Sequence, residues 1–157
     1  MADKAPPILI AYDGSEYAKE AIKQAGEQLR DGRRAIVLTV WQPYSAMGFV
    51  GAPAVVPVEL EQNVEREARR VAEEGARLAR RAGFDAEPLV AQGDPVWQRI
   101  VESAEEHDAD ILVMGSHGRT GISRLLLGSV ASAAANHTDR LVLIAHKGSQ
   151  ATPDDGN

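Results

Sequence analysis

The chain has 157 residues, about one domain's worth, and 44% of them are apolar, enough for a single core. Two Trp, three Tyr and two Phe leave that core to Ile, Val, Leu and Ala. The net charge of −6 comes from 17 basic and 23 acidic residues mixed along the chain, which speaks against a basic face for nucleic acid or a membrane surface. Cysteine is absent, which excludes disulfides, thiolate metal sites and thiol nucleophiles.

No run approaches the ~18–20 consecutive apolar residues that span a bilayer. The opening MADKAPP lacks the apolar stretch of a signal peptide, so a cytoplasmic location is the expectation.

In chain order, Ile8–Tyr12 is a short branched run that reads as a strand. Ala18, Ile22, Ala25 and Leu29 then mark a helical stripe ended by Gly32. Ala35–Trp41 is a second strand, followed by a Pro/Gly-broken yet apolar connection from Gln42 to Pro57, read as a partly ordered loop or a flap. Leu60, Val64, Ala68, Val71, Gly75, Leu78 and Ala82 step by three and four, with Gly83 placed as the residue past a helix end. Ala86–Ala91 carries Pro88, which suggests an edge strand. Asp94–Pro95 reads as an N-cap and first helical residue, with Val96, Ile100, Val101 and Ala104 as the apolar side. Asp110–Met114 is the fourth strand, Gly128–Ser129 to about His137 the last helix, and Leu141–His146 the fifth strand. The tail from Gly148 to Asn157 reads as disordered.

The alternation β-α-β-α-β-α-β-α-β predicts a single doubly wound α/β domain over residues 1–147, with a parallel sheet covered on both faces. In such sheets ligands bind beyond the carboxyl ends of the strands, where strand order reverses. Three segments follow strands there: Asp13-Gly14-Ser15-Glu16, Val40-Trp41-Gln42-Pro43, and Met114 to Gly121. The last is the richest in glycine, which lets backbone N–H groups approach phosphate oxygens or simply makes a tight turn. Ten residues after Gly118 comes Gly128-Ser129 at a helix start, a ready anion site.

Gly115-x2-Gly118-x9-Gly128-Ser129 resembles the ATP-binding signature of the universal stress protein family. ILIAYDGSE at 8–16 and DILVMGSHG at 110–118 are similar to that family's first and fourth strands with their loops. The likeness covers roughly residues 6–147. It implies a five-stranded parallel sheet in the order 3-2-1-4-5 and a homodimer through the last strand, Leu141–His146. It also implies that Asp13 lies at the ribose or a phosphate-bound metal, that Val40 and Met114 flank adenine, and that Gly115 and Gly118 line the ribose and phosphates. Gly128, Ser129 and Val130 would close on the phosphates. The family's last strand often carries a proline before its branched run; Thr138-Asp139-Arg140-Leu141 stands in that place.

Other roles compete for several of these residues. Asp13 and Glu16 also form a capping-box pattern, and Val40 and Met114 would serve as core residues. Arg119 could neutralise phosphate charge, and His117 could be a base or a solvent-facing neighbour. His107, His137 and His146 follow no metal-ligand spacing, and Ser15 and Ser129 lack a nucleophile-elbow pattern. The P-loop lysine motif is missing. The expectation is therefore a regulatory protein binding ATP or AMP, with at most slow hydrolysis, no catalytic residues and no protein metal site, Mg²⁺ accompanying the phosphates. Alternatives are a nucleotide-free dimeric scaffold of the same fold and an adenylating enzyme, whose loop after the first strand is too short here. A receiver domain would need an aspartate ending the third strand, where Ala91-Gln92-Gly93 stands.

Overall fold

The computed structural model describes residues 5–29, 31–43, 56–119 and 126–148. The expected structure of the 42–57 connection therefore lies largely outside the described residues, as does that of the tail beyond residue 148. Five strands alternate with four helices: β1 (Ile8–Ala11), α1 (Glu16–Gln28), β2 (Arg34–Trp41), α2 (Val58–Arg81), β3 (Asp85–Gln92), α3 (Val96–Glu106), β4 (Ile111–Gly115), α4 (Ser129–His137) and β5 (Leu141–Ala145). All pairings are parallel and the order is β3-β2-β1-β4-β5.

The continuous apolar runs follow from burial on both faces. Side chains alternate across a strand, so Ile8, Ile10, Ala35, Val37, Ile111 and Val113 pack with the apolar stripes of α1 and α2. Leu9, Ile36, Leu38, Leu112 and Met114 pack with α3 and α4 on the other face. Pro88 of β3 pairs with Val37 of β2, and β3 lies at the edge of the sheet, where a missing N–H is tolerated.

Gly83 follows α2 with φ +105°, the left-handed residue that its position past the helix end predicts. Two caps differ from expectation. The cap of α1 is Ser15, whose hydroxyl accepts from Ala18 N at 3.2 Å; Asp13 lies earlier, because Gly14, at φ +81°, turns the chain between them. The cap residue of α3 is Pro95, which offers no side-chain acceptor, and Asp94 Oδ1 instead accepts from Gln42 Nε2 at 2.7 Å. That bond joins the end of β2 to the start of α3.

Candidate functional site

β1 has β2 on one side and β4 on the other, so strand order reverses between β1 and β4. A cavity of about 360 Å³ opens there, above the carboxyl ends of the strands. That volume lies within the range of small-molecule sites.

The β1 side is fixed first. Tyr12 N donates to Leu38 O at 2.8 Å, and Thr39 Oγ1 donates to Tyr12 O at 2.9 Å. Those bonds deliver Asp13 to the cavity rim. Ser15 N donates to Asp13 Oδ1 at 2.9 Å, which orients the carboxylate and leaves Oδ2 turned toward Gly118. Beneath it, the Tyr12 hydroxyl donates to Glu74 Oε1 at 2.6 Å and ties β1 to α2. Burial raises the Tyr12 phenol well above its ordinary pKa, and the bond to Glu74 and the nearby carboxylates raise it further.

The β4 side is built by close backbone approach. A methyl on Gly115 would stand 2.7 Å from the Tyr17 carbonyl carbon, so glycine lets β4 lie against α1. Ser116 N donates to Ala145 O at 2.9 Å, and Gly128 N donates to Ser116 O at 2.7 Å, which seats the start of α4 on the end of β4. A methyl on Gly128 would lie 2.9 Å from that same Ser116 oxygen. Gly118 differs: its added Cβ would meet only Asp13 Oδ2, at 3.0 Å. Two glycines of the motif thus serve chain crossing, and the third borders the candidate carboxylate.

The remaining walls give the site two characters. Leu38 and Val40 of β2, Val96 and Ile100 of α3, and Met114 of β4 make an apolar slot. Opposite lie Ser129, Val130 and Ala131, the first turn of α4. Among the described residues no side chain caps that helix, and its first internal bond runs from Ser132 N to Gly128 O at 2.9 Å. The N–H groups of 129–131 therefore precede the hydrogen-bond ladder at the positive end of the helix.

Asp13, Val40, Met114, Gly115, Gly118, Gly128, Ser129 and Val130 all line this one cavity. Arg119 is not among the described lining residues; its Nε donates to Asp13 O at 2.7 Å. Val96 and Ile100, which read as core in the sequence, line the cavity as well, and so do Tyr12, Leu126 and Leu127, which carry no sequence signal for a site. The signal for the first two is their place in the helix that follows a strand's carboxyl end. His117 lines the cavity too, with Nδ1 3.0 Å from Ser116 Oγ and its ring 5.0 Å from that of Tyr17. Its Nε2 is buried, with no hydrogen-bond partner among the described residues. Among the described residues no cluster of acidic and histidine side chains could hold a metal, and no helix is long and apolar enough to cross a membrane.

This arrangement defines an open α/β domain with a cavity at its topological switch point, the place where such sheets hold ligands. The universal stress protein family matches residues 5–146, and the chain belongs to that family. Universal stress protein MJ0531 of Methanocaldococcus jannaschii is 32% identical over 141 residues, covering 89% of this chain and 81% of its own. The solved structure of hypothetical protein MJ0577 from the same archaeon shares 27% identity with a TM-score of 0.75, covering 93% of this chain and 99% of that one. A universal stress protein solved in complex with cAMP shares 26% identity with a TM-score of 0.62, covering 90% and 96%. Adenine-nucleotide complexes thus occur within the family.

Proposed function

We propose that this chain binds an adenine nucleotide, ATP or AMP, in the switch-point cavity and acts as a nucleotide-dependent regulator. The observation that carries the reading is the pairing, in one cavity, of an apolar slot with a helix N-terminus that no described side chain caps, across the oriented carboxylate of Asp13. The slot between Val40 and Met114, backed by Val96 and Ile100, suits a flat base. Asp13 Oδ2 is available to a ribose hydroxyl, and the N–H groups at Ser129 and Val130 suit phosphate oxygens. Mg²⁺ would accompany a triphosphate, with Asp13 the one carboxylate among the described lining residues.

Rapid hydrolysis is not part of the proposal. No lysine or arginine is found among the described lining residues, and phosphoryl transfer depends on such charges. Binding would act by shifting populations of the protein, including a homodimer formed through β5 in the cytoplasm.

Denaturing the purified protein and running the supernatant on anion-exchange chromatography tests the reading. Released ATP or AMP is the expected result. For emptied protein, nucleotide at a hundredfold excess over its Kd should stabilise the fold by about 2.7 kcal/mol, raising Tm by about 5–10 °C. No released nucleotide together with no Tm shift at millimolar ATP would overturn it.

A further inference from the structure

Arg119 stands four residues past β4, in the loop that leads to α4, yet its guanidinium reaches across to the loop after β1. Nε donates to Asp13 O at 2.7 Å, and the far end of the side chain lies 3.9 Å from where a Cβ on Gly14 would be. Its charge also reaches α2: after Arg70, Arg119 adds to the pull that holds the Glu67 carboxyl below its ordinary range. The neighbouring acceptors of the β1 loop are tied within their own half of the fold. Tyr12 O takes Thr39 Oγ1, and Asp13 Oδ1 takes Ser15 N. The Arg119 bond instead runs between the two halves of the cavity, beside the place where Gly118 faces Asp13 Oδ2.

We infer that Arg119 is a positioning residue, a strap that holds the Asp13 turn against the β4 loop and so sets the carboxylate for a nucleotide's sugar, rather than a phosphate ligand. The inference rests on the nucleotide reading for its ligand but not for its geometry. It has a chemical signature. A residue that grips phosphate contributes more as phosphates are added and nothing to a nucleoside. A strap contributes equally to adenosine, AMP and ATP.

Two substitutions separate the roles, because Gln Nε2 hangs from Cδ as Arg Nε does. Arg119→Gln keeps a donor near the same place without the charge, and Arg119→Met removes both. By calorimetric titration Arg119→Met should raise Kd by about three- to tenfold, the worth of one hydrogen bond, for adenosine, AMP and ATP alike. Arg119→Gln should regain most of that loss for all three. A loss that grows with phosphate number, spares adenosine and is not rescued by glutamine would overturn the strap. Amide hydrogen exchange at Ser15 in ligand-free protein provides a second readout. Arg119→Met should speed it and Arg119→Gln should restore it. Unchanged exchange in both variants would reject the inference even if the protein bound no nucleotide, an outcome that would separately end the nucleotide reading.

Discussion

A glycine can be demanded by a ligand or by a neighbouring chain, and Gly115 and Gly118 divide along that line. The methyl of Gly115→Ala would fall 2.7 Å from the Tyr17 carbonyl carbon and 2.9 Å from its oxygen, backbone atoms that move only if α1 moves. Overpacking of this kind costs about 1–3 kcal/mol, so Tm should fall by about 2–12 °C for a domain of this size. A thermal melt matching the parent would show that α1 is not pinned there. Gly118→Ala puts its methyl 3.0 Å from Asp13 Oδ2, at the end of a short side chain on the cavity rim. Its melt should stay within a degree or two of the parent, and its Kd for ATP should rise roughly tenfold, about 1.4 kcal/mol. Unaltered affinity would mean that the loop is only a turn.

At the scale of elements, α2 is docked by a contact that its own sequence pattern half reveals. The three-and-four spacing places Gly75 on the apolar stripe, and there a Cβ would strike the Tyr12 ring at 2.6 Å and Val37 at 2.7 Å. Glycine lets the helix lie directly on Tyr12, just past β1, and on Val37 of β2, and Tyr12 answers with its hydroxyl on Glu74. The raised phenol pKa gives this contact a pH signature. Below about pH 10 the phenol is protonated in folded and unfolded chains alike and the bond is intact. Above that, the unfolded chain releases the proton while the folded one retains it, so stability falls as pH rises. Tyr12→Phe should remove that part of the alkaline slope, at a cost near neutrality of about 1 kcal/mol for the lost bond. Chemical denaturation at pH 8 and at pH 11 measures both, and an identical slope in the two proteins would show that another group governs alkaline unfolding.

Helices α1, α2 and α3 were legible because an apolar stripe is a collective signal, carried by four residues in α1 and α3 and by seven in α2. The caps were not. Asp13 and Ser15 both precede α1 with acceptors able to cap it, and only the turn at Gly14 decides between them. Asp94 is drawn off by Gln42, a partner 52 positions away that no local pattern announces. The same limit applies to the cavity. The motif marked the residues of the β1, β2 and β4 ends, but Arg119 reads only as a phosphate-binding candidate from its neighbours in sequence. Its bond to Asp13, 106 positions away, exists only once β1 and β4 are side by side.

For the whole molecule, the sheet order leaves β3 and β5 as its two edges, and the edges are not alike. β3 carries exposed Asp85, Glu87 and Pro88, features that discourage a further strand. β5 reads Leu-Val-Leu-Ile-Ala, with no charge and no proline, and Leu141 is 66% exposed. Leu141 N donates to Asp110 O, at 3.3 Å, on the β4 side. Alternation along a parallel strand then turns the N–H groups of Val142 and Ile144 to the open edge. An unguarded edge of this kind is the physical basis for the proposed homodimer through β5. Val142→Pro removes one outward donor from an edge strand, where proline is tolerated, and Leu141→Lys adds an exposed charge without touching the core. In sedimentation at micromolar concentration the parent should run as a dimer, and each variant should shift to monomer with an unchanged far-ultraviolet spectrum. A parent that is monomeric throughout would remove the homodimer, and a Leu141→Lys variant that remains dimeric would place the self-association elsewhere on the molecule.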